Sequence, residues 1–197
     1  MKSTKVLLTA SGDARLSANQ LCWPTQSAME TDLIAAFEAS GAEVERLNPV
    51  DSEAQHGFLD SQKRCLEVFR DIDRDAPLVV AESVWQYSHH VLAGLIGHRG
   101  PILTVANWSG QWPGLVGMLN LNGCLIKAGV PFSTLWAEDF SDERVRARIV
   151  EWLETGAITH NTDQCRSYQK GDSEAEATGV SLAEEFRDSR SIMGVFD

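Results

Sequence analysis

The residues in this sequence that could do chemistry gather in four short stretches, each placed after an apolar run. The first holds Ser11, Asp13, Arg15, Ser17, Asn19 and Gln20. Arg15 has a permanent charge and a rigid fork of N–H donors, so it could clamp a hydroxylated or anionic ligand. A solvated loop arginine would satisfy the same pattern. The second stretch is Glu82-Ser83-Val84-Trp85-Gln86-Tyr87-Ser88-His89-His90. Trp85 offers a flat apolar face suited to one side of a sugar ring, and its N–H needs a partner if buried. The third reads Asn107-Trp108-Ser109-Gly110-Gln111-Trp112-Pro113-Gly114. Asn107 can set an amide at a strand end. Pro113 suits a first helical turn, where its missing N–H costs nothing, and Gly110 and Gly114 permit close backbone approach. Free N–H groups at the start of the following helix would favour an anionic or polar ligand. Alternatively, Trp108 and Trp112 simply pack beneath the loop. The fourth stretch, Trp136-Ala137-Glu138-Asp139, sets its carboxylates on opposite sides of an extended chain, which makes no ready acid–base pair.

Several familiar engines are missing. There is no GxGxxG or GxxxxGK[ST] run to cradle phosphate, no HExxH and no EF-hand loop. There is no GxSxG nucleophile turn. Adjacent His89 and His90 do not share a helix face, and His56, His98 and His160 show no zinc-type spacing with them. The chain thus has groups able to recognise a polyol, but none assigned as catalytic and none assigned to a metal.

The elements that must position these groups alternate between strand and helix. Short apolar runs read as strands at Lys5–Thr9, Pro77–Ala81, Pro101–Ala106 and Pro131–Ala137, and Glu43–Leu47 alternates like a strand near an edge. Leu78-Val79-Val80 is apolar on both faces, as a covered parallel strand requires. Between them come helical patterns. Ser27-Ala28-Met29-Glu30 fits a capping box opening a helix that Gly41 stops. Phe58, Cys65, Leu66 and Phe69 suggest a second helix reaching about Arg74, and Val91–Ile96 a short third. Leu115–Ala128 has little charge and is expected to be well buried. Ser141 is expected to cap an amphipathic helix carrying Val145, Ile149, Trp152 and Leu153, with Asp142 and Glu143 in its first turn. The alternation predicts a three-layer α/β domain with a parallel sheet and helices on both faces, with ligands beyond the carboxyl ends of the strands.

The domain is expected to span residues 1–156. Residues 157–197 form an extension, and 171–197 carry seven acidic and two basic side chains. Leu182, Phe186 and Ile192 could dock a short helix on the core, or the segment could begin a second domain. The apolar end Ile192-Met193-Gly194-Val195-Phe196 reads as an interrupted fold.

Composition excludes some functions. The formal charge of -11 argues against a nucleic-acid footprint, which needs clustered positive charge. Cys22, Cys65, Cys124 and Cys165 form no CxxC pair. No run approaches the ~18 apolar residues of a membrane span and no signal-peptide pattern opens the chain. The expectation is a cytoplasmic protein with reduced thiols, no nucleic-acid partner and no membrane partner.

The loop residues also carry a family likeness. Ser83-Val84-Trp85-Gln86-Tyr87, then Pro101–Asn107, then Trp112-Pro113-Gly114-Leu115-Val116-Gly117-Met118-Leu119, with Gly123, Gly129 and Pro131 in step, resemble the N-terminal domain of the L-fucose isomerase family, and more distantly that of L-arabinose isomerase. Arg190-Ser191-Ile192-Met193-Gly194 is similar to the family's Gly-Gly-Arg-Ser-Met-Gly motif, with Asp188 and Ser189 in place of the glycines and Ile192 added. The resemblance implies a Rossmann-like or flavodoxin-like first domain of a longer aldose–ketose isomerase. It implies manganese or a similar divalent ion held by later domains, with no cofactor bound by this chain alone. It implies as partners a sugar, the missing C-terminal domains or a complementary chain, and further copies in a homo-oligomer. Arg15 then resembles the early-loop arginine that reaches the sugar, and Trp85 the aromatic wall. Asn107 and Trp112 match motif positions that support the loop first and the substrate second. A stand-alone sugar-binding or regulatory module is the alternative.

Overall fold

The computed structural model describes residues 4–84, 90–108, 110–112, 114–166 and 171–189. The five runs form strands β1 (Thr4–Thr9), β2 (Ala42–Arg46), β3 (Leu78–Glu82), β4 (Ile102–Asn107) and β5 (Ser133–Ala137). All pair in parallel, in the order β2-β1-β3-β4-β5. Helices α1 (Leu16–Ala39), α2 (Gln62–Arg70), α3 (Leu92–Leu95), α4 (Gly114–Ala128) and α5 (Glu143–Thr155) connect or follow them.

Alternation along each strand divides the core in two. Val6, Leu8, Val79, Ala81, Leu103, Val105 and Leu135 point to one face, where Met29, Leu33 and Phe37 of α1 and Val145, Ile149 and Trp152 of α5 cover them. Phe37 and Trp152 meet edge to face across that layer, their centroids 6.0 Å apart. Leu7, Leu78, Val80 and Ile102 point the other way, against Cys65 and Phe69 of α2, Leu95 of α3 and Leu121 and Leu125 of α4. The result is the three-layer α/β fold expected, with the 2-1-3-4-5 strand order of flavodoxin-like sheets.

Three local expectations are corrected. The helix over Ser27 does not begin there: α1 starts at Leu16, with Arg15 in the N-cap position, and runs through both Pro24 and Ser27. Glu30 therefore caps nothing; it accepts hydrogen bonds from Arg46 on β2. Tertiary pairing of a buried carboxylate outweighs the local capping pattern. Second, Asp142, not Ser141, caps α5, accepting the Arg144 N–H at 2.7 Å. The Ser141 hydroxyl is taken by Asp139 at 2.6 Å. Third, α4 is only half buried. Met118, Leu121 and Leu125 face the sheet, while Leu115, Val116, Leu119 and Ile126 are exposed. Its low charge reflects a second apolar face rather than full burial.

Contacts divide the chain into two compact units, Met1–Thr159 and His160–Asp197. The second contains helix α6 (Ser173–Asp188), capped by Asp172, which accepts the Glu174 N–H at 2.9 Å. Its apolar side chains Val180, Leu182 and Phe186 are exposed. Ile192 and the Arg190–Gly194 motif lie outside the described residues. No helix among the described residues is long and apolar enough to cross a membrane.

Candidate functional site

The chain leaves β1 toward β2 on one side and returns as β3 on the other, so the strand order reverses between β1 and β3, the place where sheets of this kind bind ligands beyond their carboxyl edge. The β1 loop is tightly made. Gly12 donates to the Leu59 carbonyl at 2.7 Å, and the Leu59 N–H donates to Ala10 at 2.9 Å. A Cβ on Gly12 would fall 2.6 Å from Phe58 Cβ, so only glycine fits. Asn19 on α1 then locks the loop: its Oδ1 accepts the Asp13 N–H at 2.8 Å and its Nδ2 donates to the Asp13 carbonyl at 2.7 Å.

Asp13 is buried and Arg15 stands over it, mostly exposed. The Arg15 backbone N–H and Nε both donate to Asp13 Oδ1 at 2.9 Å, and Nη2 donates to Oδ2 at 2.8 Å. These bonds from Arg15 hold the Asp13 carboxyl below the usual carboxylate range, against the opposing effect of burial. The cluster is therefore an ionised pair at the rim, its guanidinium directed by its own carboxylate.

Glu82, at the end of β3, has the opposite character. It is fully buried, and among the described residues neither carboxyl oxygen meets a hydrogen-bond donor at bonding geometry. Burial pushes it well above the usual range; the Ser11 N–H opposes that rise and the Glu30 charge adds to it. Thr9 Oγ1, which alternation puts on the same sheet face, is likewise buried without a partner. Around this acid the backbone is gripped from α1. Gln26 Nε2 donates to the Ala81 carbonyl and to Glu30 Oε1, both at 3.0 Å, and its Oε1 accepts the Ser83 N–H at 2.9 Å. Ser83 Oγ then donates to Asn107 Oδ1 at 2.9 Å. A chain of polar contacts thus runs from Arg46 through Glu30, Gln26 and Ser83 to Asn107.

Beyond β4 and β5 lies a cleft of about 430 Å³. Trp108, Trp112 and Trp136 wall it, with Asn107 and Glu138 as its polar groups and Leu115 at the start of α4. Trp112 also packs against the cluster of Ala10, Cys22, Phe58 and Val84, which ties the cleft to the β1 loop. Gly114 lets α4 begin this close to the sheet: a Cβ there would lie 2.5 Å from the Glu82 carbonyl oxygen and 2.8 Å from Ser83. Gly114→Ala is therefore expected to cost about 1–3 kcal/mol, the range for overpacking a filled interior. Urea unfolding would measure it, and a loss below roughly 0.5 kcal/mol would contradict so tight an approach. A larger cleft, about 660 Å³, opens at the opposite end of the strands beside Lys5, Glu45 and Asp71. It lies at the amino end, away from the loops that carry the chemistry, and the Lys5–Glu45 ion pair crosses its wall.

Of the four residues singled out from sequence, Asn107 and Trp112 come together in the tryptophan cleft. Arg15 is held at the β1 loop by Asp13 and does not line that cleft. Trp85 lies outside the described residues. Gln26, Glu30 and Arg46 were not anticipated. Their signal was present: Cys22, Gln26, Met29, Glu30, Leu33 and Phe37 share one buried helix face, and two of the six are polar. Among the described residues, no group of three or more His, Cys, Asp or Glu side chains could hold a metal ion.

The fold is that of a three-layer α/β protein with polar side chains along the carboxyl edge of its sheet. No family model matches the chain, and no curated protein matches it. Among solved structures it is similar to an oxidoreductase from Corynebacterium diphtheriae, at 16% identity over 77% of this chain and 94% of that one, with a TM-score of 0.37. A likeness of that degree carries no argument about function.

Proposed function

We propose that this chain is the substrate-recognition domain of a metal-dependent aldose–ketose isomerase of the fucose/arabinose type, supplying one wall of a shared active site. The tryptophan cleft with Asn107 at its head carries this reading. Indole faces suit the C–H side of a sugar ring, and an amide and a carboxylate suit its hydroxyls. A complementary segment would supply the carboxylates and imidazole to hold a divalent ion, which would act as a Lewis acid on sugar oxygens and stabilise an ene-diolate. This chain's part is to orient the sugar and exclude water.

Two measurements test the proposal. Titration with L-fucose and L-arabinose should quench tryptophan fluorescence, and Trp108→Ala should weaken that binding about tenfold or more, on the scale of a lost aromatic contact. The unfolding midpoint should stay put, because Trp108 is 61% exposed. Unchanged sugar affinity in the variant would overturn the cleft assignment. The purified chain with manganese should show no isomerase turnover; sustained turnover would overturn the division of labour with a complementary segment.

A further inference from the structure

We propose that the outward flank of α4 docks the same helix of a second copy of this chain, antiparallel, about a two-fold axis near the level of Leu121. This inference does not depend on the sugar reading.

The flank has the spacing of a helix-pairing seam. Leu115, Leu119 and Ile126 recur at intervals of four and seven residues, spacing that keeps one stripe facing a partner helix. Asn122 is turned inward, its Nδ2 donating to Thr134 Oγ1 at 3.1 Å and its Oδ1 accepting from Thr104 Oγ1 at 2.7 Å. Leu115, Leu119 and Ile126 remain exposed. Gly123, also exposed, has nothing within 4 Å of where a Cβ would stand, so a second helix can approach closely there. Beside the seam, the same face of β5 leaves Trp136 exposed, giving a continuous apolar surface on the side where α4 covers β3 and β4.

Charge selects this face and fixes the direction. The chain has a formal charge of -11, so two copies repel over most of their surface and approach best where acids are sparse. The 15 residues of α4 contain no Asp or Glu and a single cation, Lys127. In a parallel pair the two Lys127 side chains would face each other. In an antiparallel pair, Lys127 of one copy lies over Leu115 of the other. Glu138 shares the cleft with Leu115, so each ammonium meets a carboxylate. The helix dipoles then oppose as well. Each seam Leu115 meets the Ile126 end of its counterpart, and the second copy's Lys127 closes one end of the tryptophan cleft.

Sedimentation equilibrium of the full chain, from low micromolar concentration upward, should show a reversible monomer–dimer transition. Leu119→Asp and Ile126→Asp should each raise the dissociation constant roughly tenfold or more, with unfolding midpoints unchanged because both positions are exposed. Lys127→Glu should weaken the dimer roughly fivefold, the scale of an exposed charge pair. Adding Glu138→Lys to the same chain should restore it. A monomer at every concentration would overturn the proposal, as would a dimer indifferent to both aspartate substitutions. If the charge exchange fails to restore association, the antiparallel arrangement falls.

Discussion

Arg46→Ala should destabilise the protein by about 3–5 kcal/mol, the cost of leaving a buried charge without its partner. Arg46 Nε and Nη2 donate to the two Glu30 oxygens at 2.7 and 3.1 Å, and Nη1 donates to the Asn48 carbonyl at 2.6 Å. Its guanidinium also lies over Trp23, 5.1 Å from the ring centroid. Without it, Glu30 keeps a side-chain donor only from Gln26, and that amide is already engaged with β3. The penalty comes from stranding Glu30, not from losing attraction alone. Neutralising both partners, as in Glu30→Gln with Arg46→Met, should therefore recover most of the loss. Urea unfolding of the single and double variants decides this. A cost below about 1 kcal/mol for Arg46→Ala would place the pair among ordinary surface bridges.

Glu82→Gln should act in the opposite direction, and only as pH rises. The Glu82 carboxyl titrates above its unfolded value because burial disfavours the charge. Its contribution to stability is therefore complete below the unfolded pKa, near 4.5. It is lost progressively as pH rises from there through the folded value, since the unfolded chain releases the proton first. Glutamine has no proton to release. At pH 8 the variant should exceed the parent by about 1–3 kcal/mol, the usual scale for relieving a buried unsatisfied polar group, and near pH 4 that advantage should vanish. Thermal unfolding across this range reads the result at about 2–4 °C per kcal/mol for a chain of this size. Parallel pH profiles for the two proteins would mean that Glu82 is not the group responsible.

The opposed environments of Asp13 and Glu82 show what a sequence carries and what it omits. Strand number, parallel arrangement and the faces of the sheet follow from local periodicity: Leu78-Val79-Val80 and Ile102-Leu103 can only be covered on both sides. The rim loops were legible too, because Gly, Asn and Trp cluster after those runs. The state of each carboxylate was not. Asp13 is held toward its ionised form because Arg15 folds back two residues, whereas Glu82 is pushed toward its neutral form by burial where distant parts of the chain converge. The α1 boundary failed for a related reason. Ser27 and Glu30 satisfy a capping pattern locally, yet Arg46, sixteen residues beyond Glu30, claims the carboxylate. The exposed side of α4 misled in another way, since an uncharged helix reads the same whether its second face is buried or awaiting a partner.

The length of α1 carries one more consequence. Its 24 residues extend about 36 Å, while a six-residue strand spans about 20 Å. Gln26 is bonded to the Ala81 carbonyl and the Ser83 N–H at the end of β3, so the surplus is the turns before it, with Asn19 on them and Arg15 at their N-terminal tip. Pro24 sits near the junction and withholds the N–H that would have bonded the Gln20 carbonyl, one turn toward the N-terminus. One intrahelical bond is therefore missing between these turns and the rest of the helix. Side chains make up the hold: Asn19 binds both backbone groups of Asp13, and Cys22 and Trp23 pack beside Phe58.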